Sequence, residues 1–513
     1  MSLLLDRFAH LAATAADHPA VIEPSGEPVG RAQLLQMACT LADDLHAAGI
    51  RPGSVVVLHT PGAGAAFHAG DLAVLLCGAV PASMTEHPSA EQADQALNVL
   101  RPTCVLDTVG DDVLAAATTR MGIPNRHLGL RAAGALPVEQ ALLRARMAPA
   151  TTGACVTATS GTTGRPRHVL IDQTVLVNGL DAWRHHWPPA AQAATRTVAH
   201  LPVSHIAQRI MGHYLMCLYG VSVHTTTPAG LAAAITTVRP QVLLGVPHTL
   251  AALTHNATGD AELGKALRET ALILNGAAAL PAETAAALAA LEAPVAGAYG
   301  MTETTVPAFH HQPEDGSGAL GMPVFGVDFH LGPGDELLLR TRYAARYVTR
   351  WPQTTPVMAA DGWLHTGDRA ESAPAGLRLT GRIAATLKTS RGHLIVPEPI
   401  EAHLAAQPGV SGACVLGHGR PTAVAIVSVP AAQAWEEHRR ARAEQHLLTG
   451  LRDARAARSL PRADIGSVLI VPEDWSTDAG LLTRTGKPRR EVIASRYAGQ
   501  LARRYEEEST DAC

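Results

Sequence analysis

Strand-like and helix-like segments alternate along most of the chain, and this alternation restricts the fold more than any other feature. Residues 31–48 place Leu34, Leu41 and Leu45 on one stripe of a predicted helix, and Gly49 is a natural end for it. Short apolar runs (SVVVLHT, TCVLD, QVLLGVP and ALILNGA) predict strands, and helical segments such as PAETAAALAAL separate them. The pattern predicts an α/β fold whose large domain has mixed, largely parallel sheets flanked by helices. Ligands of such sheets bind at the carboxyl ends of the strands.

The sequence changes character near residues 361–382, where a stretch rich in Gly, Asp and Pro (DGWLHTGDRAESAPAGLRLTGR) suits a domain boundary. Short strands and a charged helix near residues 435–459 follow it. A chain of 513 residues also exceeds what one hydrophobic core usually supports. We therefore expect a large domain over residues 1–381 and a small, mobile α+β domain over residues 382–513.

Composition and charge exclude several classes of protein. With 41 basic and 45 acidic residues, the chain has no global field that would attract nucleic acid or an anionic membrane. The seven cysteines are scattered without a CxxC pair, which predicts reduced thiols rather than disulfides or a metal site. We see neither a signal peptide nor an apolar run of about 18 residues. These features predict a cytoplasmic protein that acts on a small molecule, without a nucleic-acid partner or a membrane span.

Hydroxyl and glycine residues are concentrated between Thr157 and Arg167, in the run TATSGTTGRPR. This composition is typical of a loop that surrounds phosphate oxygens with backbone and hydroxyl donors. Ser/Thr/Gly clusters are also ordinary material for surface loops, so the run alone leaves both interpretations open.

Four later segments decide between these interpretations. They are GAYGMTET at 297–304, DGWLHTGD at 361–368, Gly381-Arg382 leading to KTSRGHLIVPEPIE, and LTRTGK at 482–487. Together with the first run, they resemble in order the core motifs of the adenylate-forming superfamily, which includes acyl-CoA synthetases, peptide-synthetase adenylation domains and luciferases. Five motifs in the family's order are far more specific than any one of them.

The segment LPVSH at 201–205, with Arg209, is most similar to the long-chain acyl-CoA synthetase branch of this superfamily. Arg239-Pro240, Gly245-Val246-Pro247 and PEPIE at 397–401 agree with that branch. The resemblance implies an enzyme that joins an acid to AMP from ATP, with ATP and Mg²⁺ as cofactors.

The resemblance also implies which residues bind the nucleotide. The β- and γ-phosphates would be held by Thr159, Ser160, Gly161, Thr162, Thr163 and Gly164. Tyr299, followed by Gly300, would stack beside adenine, and the opposing wall would consist of Asn275, Gly276 and Ala277. Asp368 would accept hydrogen bonds from the ribose hydroxyls, and Arg382 would donate to the ribose. A structural ion pair between Asp368 and Arg382 is the alternative interpretation.

Four residues would act on the reacting groups. Thr302 would contact the α-phosphate, and Glu303 would hold Mg²⁺, a hard cation that prefers carboxylate and phosphate oxygens. Lys487 would stabilise the negative charge that grows when a carboxylate attacks that phosphate. His205 would lie near the substrate carboxylate, although a lone histidine is often structural.

Two departures from the family pattern affect what can be expected. Arg167-His168 stands where the family usually has Lys-Gly, so the phosphate loop changes its donor geometry. Ala384 and Ala385 occupy the place of a charged hinge residue. The sequence therefore supports adenylation more strongly than thioester formation.

Three functions therefore stay open. The first is an acid:CoA ligase, in which CoA is a further cofactor. The second is an adenylating enzyme with another acceptor: an amine, a carrier protein, or nitrite activation for an aromatic amine in the manner of a diazotase. The third is a nucleotide-binding relic without activity. The sequence does not identify the acid, because a difference of one methylene changes binding by only about 1–3 kcal/mol.

Overall fold

The computed structural model describes residues 3–60, 62–128, 139–140, 142–143, 153–159, 167–373, 376–391, 393–456, 460, 465–476, 479–482 and 488–510. Lys487 and most of the predicted phosphate loop, from Ser160 to Gly164, lie outside the described residues. Among the helices that are described, none is long and apolar enough to cross a membrane.

The strands alternate with helices as the sequence predicts. In chain order they are β1 Pro19–Ile22, β2 Pro28–Gly30, β3 Val55–His59, β4 Val80–Ser83, β5 Cys104–Asp107, β6 Asn125–His127, β7 Gly153–Ala158, β8 His168–Asp172, β9 Arg196–Ala199, β10 Ser222–Thr225, β11 Val242–Gly245, β12 Leu272–Asn275, β13 Val295–Tyr299, β14 Phe309–His311, β15 Met322–Pro323, β16 Val327–Leu331, β17 Glu336–Thr341, β18 Arg346–Arg350, β19 Gln353–Pro356, β20 Leu364–Ala373, β21 Gly376–Arg382, β22 Leu387–Lys388, β23 Leu394–Ile395, β24 Gly412–Leu416, β25 Ala423–Ser428 and β26 Ile465–Val471.

The α-helices cover the faces of these sheets. They are α1 Leu3–Thr14, α2 Arg31–Ala47, α3 Ala65–Leu76, α4 Ala90–Leu100, α5 Asp112–Arg120, α6 Gln173–Arg184, α7 Pro189–Gln192, α8 Ile206–Arg209, α9 Leu215–Tyr219, α10 Leu231–Val238, α11 Pro247–Ala257, α12 Ala261–Glu269, α13 Ala282–Ala290, α14 Pro397–Ala405, α15 Glu437–Ala456, α16 Arg490–Arg496 and α17 Ala498–Thr510. The helix predicted over residues 31–48 is α2, and Gly49 follows it with φ +91°. That left-handed backbone is the conformation in which glycine ends helices.

Two large sheets form the frame of the molecule. The nine-stranded sheet has the order β15-β14-β13-β12-β11-β9-β10-β1-β2, and the eight-stranded sheet has the order β19-β18-β8-β7-β4-β3-β5-β6. The central pairs of both sheets are parallel, whereas β13-β14-β15 and β7-β8-β18-β19 are antiparallel. The prediction of mixed, largely parallel sheets is therefore confirmed.

Side chains of both large sheets meet in the main hydrophobic core. Val56 and Leu58 of β3 belong to the same cluster as Val223 of β10 and Leu274 of β12, together with helices α2 and α3. Separate clusters cover the outer face of each sheet. An antiparallel sheet, β16-β17-β20-β21, leads from this region to Arg382.

Residues after β21 build a smaller α+β unit. The sheet β24-β25-β26 packs with helices α14 to α17, and its two clusters contain buried residues only from Leu387 onward. The other three clusters end at Leu377. This gap agrees with a boundary near residues 381 and 382, and the exact division stays a prediction.

Limited proteolysis of the native protein tests that division. Because segments between two cores are cut more readily than the cores, the first cut should fall between residues 370 and 395. Mass spectrometry of the fragments should then find the large N-terminal part intact. A first cut far from this segment, with no stable large fragment, would contradict the two-domain division.

Candidate active site

The two ends of the predicted phosphate loop are joined by hydrogen bonds. Thr159 N donates to the Arg167 carbonyl at 2.8 Å, and Arg167 N donates to Thr159 Oγ1 at 3.2 Å. These contacts extend the antiparallel pairing of β7 with β8. Thr159 is thereby fixed at the point where the loop leaves the eight-stranded sheet.

Glu303 lies in a short 3₁₀ turn, Thr302–Thr304, which follows β13. Its side chain is 6% exposed, and Tyr347 donates a hydrogen bond to Oε1 at 3.0 Å. Burial and the neighbouring Glu303 carboxylate both raise the pKa of Tyr347, so its hydroxyl stays protonated as a donor. The guanidinium of Arg167 lies over the same tyrosine ring, 5.2 Å from its centre. Tyr347 thus connects the predicted Mg²⁺ ligand with the end of the phosphate loop.

Asp368 is the centre of a second polar group. Tyr299 donates a hydrogen bond to Asp368 Oδ2 at 2.8 Å, and Arg382 Nε lies 2.8 Å from Oδ1. Asp368 and Arg382 are direct partners in the pairing of β20 with β21. Burial raises the pKa of Tyr299, and the Asp368 charge raises it further. The two residues expected to bind ribose do form an ion pair, with Asp368 buried and Arg382 partly exposed.

The predicted adenine wall lies next to Tyr299. Asn275 ends β12, is 3% exposed and donates through Nδ2 to the Ala278 carbonyl at 3.0 Å. Its cross-strand partner is Gly297 of β13, so these two positions share a face of the sheet with Tyr299 two residues later. Gly276 N donates to the Gly245 carbonyl, and Ala277 has φ +71° in an exposed turn. The structure therefore brings the predicted adenine residues together.

His205 directly precedes helix α8 and is partly exposed. The residue before it, Ser204, accepts a hydrogen bond from Thr157 Oγ1 at 2.6 Å, which ties this segment to β7 close to Thr159. His205 therefore lies on a segment that is attached to the start of the phosphate loop.

A buried polar network anchors the helix that begins after His205. Arg209 is fully buried and forms an ion pair with Asp71 of α3. It also donates to Tyr214 Oη at 3.0 Å and to Ser83 Oγ at 2.5 Å. All of its named partners are buried or half-buried, so this charge is balanced inside the protein rather than offered to a ligand.

Two histidines complete this network. His213 Nε2 lies 2.9 Å from Asp71 Oδ1, and His68 Nδ1 lies 2.8 Å from His213 Nδ1. Burial lowers the pKa of both rings well below the usual value, so both are neutral. His213 belongs to a π-helical turn, Ile210–Tyr214, between α8 and α9. Sequence reasoning missed Asp71, although an aspartate inside the apolar helix GDLAVLL is a signal that could have found it.

Replacing Asp71 by Asn should destabilise the protein by about 3–5 kcal/mol, because Arg209 would stay buried without a countercharge. The matched control is Asp94→Asn, which removes the exposed partner of Arg120 and should cost about 1 kcal/mol or less. Urea unfolding followed by circular dichroism measures both changes. Equal losses in the free energy of unfolding for the two variants would show that the network does not depend on a buried charge.

The two departures from the family pattern lie on the site's edges. His168 begins β8, and burial lowers its pKa to about 4, so it is neutral near pH 7. Ala384 and Ala385 follow Arg382 in a turn in which Ala385 N donates to the Arg382 carbonyl at 3.2 Å. Ile383 N donates to the Gly367 carbonyl at 2.8 Å, which attaches the start of this turn to β20.

The predicted nucleotide motifs follow the carboxyl ends of β7 and β13, and Asp368 of the antiparallel sheet lies beside Tyr299. Together with the small C-terminal unit, this arrangement is that of an adenylate-forming enzyme. The chain belongs to the AMP-binding enzyme family, because the model of that family matches residues 8–337 and the model of the AMP-binding enzyme C-terminal domain matches residues 385–509. It is an AMP-forming ligase of the acyl-CoA synthetase branch. The resemblance drawn from the motifs is confirmed.

Individual relatives agree with this assignment. The long-chain-fatty-acid–CoA ligase FadD15 of Mycobacterium bovis is 24% identical over 514 aligned residues, which cover 85% of this chain and 86% of that protein. ATP-bound MatB from Rhodopseudomonas palustris shares the fold with a TM-score of 0.76 at 22% identity, over 97% of this chain and 99% of its own. The o-succinylbenzoate CoA synthetase MenE from Bacillus subtilis, solved with its acyl-adenylate intermediate, gives a TM-score of 0.75 at 18% identity, over 96% of this chain and 97% of its own.

Proposed function

We propose that this enzyme activates a carboxylic acid with ATP, forms the acyl-adenylate and pyrophosphate, and transfers the acyl group to CoA. The observation that carries the proposal is that the contacts join these residues into two groups. Tyr299, Asp368 and Asn275 form one group, and Glu303 forms the other with Arg167 and Thr159, which it reaches through Tyr347. One group suits a nucleoside and the other suits its phosphates. The relatives, which include a long-chain-fatty-acid–CoA ligase and an ATP-bound MatB, support the same assignment.

The residues present fit a nucleoside. Asn275 Oδ1 is buried and accepts no hydrogen bond from the described residues, as expected of an atom that meets a ligand. The Asp368 carboxylate is an acceptor for ribose hydroxyls, and Arg382 beside it is a donor. Tyr299 offers an aromatic face next to the wall of Asn275, Gly276 and Ala277.

The residues near Glu303 fit a metal-bound triphosphate. Mg²⁺ prefers oxygen ligands, and when bound it neutralises charge on phosphate oxygens. Glu303 would supply one such ligand, and the Tyr347 hydroxyl fixes the orientation of its carboxylate. Arg167 contributes a positive charge at the end of the phosphate loop, where the family usually has lysine. The loop from Thr159 to Gly164 would donate to the β- and γ-phosphates.

In the first half-reaction an oxygen of the acid attacks the α-phosphorus, and the bond from that phosphorus to the oxygen of pyrophosphate breaks. Thr302 and Lys487 would stabilise the charge that develops at the α-phosphate, and His205 would orient the acid. The transfer needs positioning and charge compensation, so it requires no nucleophilic side chain. Gly300, between Tyr299 and Thr302, keeps the backbone close to Val306 and Pro307, where a β-carbon would clash.

In the second half-reaction the sulfur of CoA attacks the acyl carbon, and AMP leaves. The small C-terminal unit would turn about the segment after Arg382 to admit CoA. Ala384 and Ala385 cannot stabilise either orientation through side-chain hydrogen bonds, so we expect this step to be slower than adenylation. An enzyme that uses an amine, a carrier protein or nitrite chemistry instead of CoA would form its final product only when the corresponding compound is added.

A pyrophosphate-release screen tests the proposed function. The purified enzyme is given ATP, Mg²⁺ and a panel of aliphatic and aryl carboxylic acids, each with and without CoA. We expect pyrophosphate release with at least one acid, and a thioester when CoA is present. If only an amine or a carrier protein discharges the adenylate, that compound rather than CoA is the acceptor. Absence of release with every acid and with nitrite would contradict the function.

Lys487→Ala should lower the rate of adenylate formation by roughly 10² to 10⁴-fold, because a charge aimed at the transition state is lost. Binding of AMP should stay nearly unchanged. Lys265→Ala is the matched control, since Lys265 is an exposed lysine of α12 that pairs with Glu269. Pyrophosphate exchange measures the rate, and a full rate in Lys487→Ala would refute the role of this lysine.

A further inference from the structure

The carboxylate of Glu314 lies against the predicted adenine wall, although the sequence motifs do not include it. Glu314 follows β14, and its Oε2 occupies the space into which a β-carbon on Gly297 would project. Gly297 pairs directly with Asn275 of β12 and with His311 of β14. The carboxylate therefore covers Gly297, a position without a side chain on the strand next to this wall.

The two oxygens of Glu314 have different surroundings. Oε1 accepts a hydrogen bond from Gly316 N at 3.0 Å, which holds the loop after β14 in place. Oε2 is the atom nearest to the Gly297 position. Burial raises the pKa of Glu314, whereas the Gly316 amide, the nearby His311 and the Asn275 side chain lower it. One oxygen thus serves the loop, and the other faces the wall.

The neighbouring amide presents an acceptor on the same face. Asn275 donates through Nδ2 to the Ala278 carbonyl, and this contact identifies Oδ1 as the remaining atom of the amide. That oxygen is buried and accepts no hydrogen bond from any described residue. Asn275 pairs with Gly297, so Asn275 Oδ1 and the Glu314 oxygen that covers Gly297 lie on neighbouring strands beside Tyr299.

We infer that Glu314 recognises the exocyclic amine of the purine base and makes the site selective for adenine nucleotides over 6-oxopurine nucleotides. The inference rests on the proposed nucleotide site. Adenine presents an amino group at this position of the ring, and an amino group donates to both acceptors. A 6-oxopurine presents a carbonyl oxygen at this position, and two acceptors facing each other repel and form no hydrogen bond.

Binding of AMP and IMP to the full-length protein, measured by isothermal titration calorimetry, tests this without knowledge of the acid. The two nucleotides differ in the base group at issue and share the ribose and phosphate. We expect AMP to bind more tightly than IMP. Glu314→Gln keeps the shape but supplies an amide that donates to a carbonyl, so the ratio of the two affinities should fall about tenfold.

Two further variants separate recognition from loop structure. Gly297→Ala retains Glu314 but displaces its carboxylate from the wall, so it should lower the same ratio. Asp315→Asn is the matched control: this exposed neighbour holds the loop through Ser317 N at 2.9 Å, and its loss should leave the ratio unchanged. A purely structural role of Glu314 would weaken both nucleotides equally.

The outcomes distinguish the inference from the function on which it rests. If AMP binds and the affinity ratio of Glu314→Gln equals that of the parent protein, the inference is wrong and the nucleotide site stands. If Asp315→Asn changes the ratio as much as Glu314→Gln, loop position rather than recognition sets selectivity, and the inference is also wrong. If neither nucleotide binds to the parent protein, the proposed nucleotide site itself fails.

Discussion

The Asp368 carboxylate connects three parts of the molecule, and the proposed nucleotide site depends on these connections. It accepts a hydrogen bond from Tyr299 at the end of the nine-stranded sheet and pairs with Arg382 at the end of β21. Its own backbone amide donates to Thr366 Oγ1 at 3.0 Å, and that hydroxyl donates to the Leu337 carbonyl of β17. A carboxylate that is 6% exposed is costly without such partners. The requirement to satisfy Asp368 therefore fixes the aromatic ring, the antiparallel sheet and the boundary residue relative to one another.

A similar requirement shapes the turn that carries Glu303. After Thr304 the chain reverses through Thr305, which has φ +65° and is buried, and Val306 N donates to the Thr304 carbonyl at 2.7 Å. A non-glycine residue in this conformation costs of the order of 1–3 kcal/mol and persists only where the surroundings enforce it. Ala345 N donates to the Glu303 carbonyl at 2.9 Å, and Tyr347 of the same strand region donates to its side chain. The strained turn and the two donors together hold the carboxylate close to Tyr347, whose ring contacts Arg167.

The sequence predicted much of this arrangement, and the reason is that periodicity and motif order are local properties. Alternating segments predicted the α/β class, and Tyr299 lies at the end of β13 as expected, whereas Asp368 lies within β20. Tyr347, Asp71 and Glu314 were missed. Tyr347 meets Glu303 across 44 positions and Asp71 meets Arg209 across 138, and a single sequence holds no sign of which distant residues pair. Glu314 was hidden for another reason, because its significance depends on the missing side chain of Gly297.

The segment after Arg382, where we propose a hinge, lacks a charged side chain but has contacts on both sides of it. Arg382 is a register partner of Asp368, so it belongs structurally to the large part of the molecule. Just before it, Gly381 has φ +143°, and a β-carbon there would overlap Val396, which precedes α14. The small unit is therefore packed directly onto β21, and a rotation of that unit must first separate Val396 from Gly381. Ala384 and Ala385 then impose little resistance of their own, because alanine side chains make no hydrogen bonds. If the small unit turns as proposed, we expect packing at Gly381, rather than a polar residue within the turn, to hold its orientation.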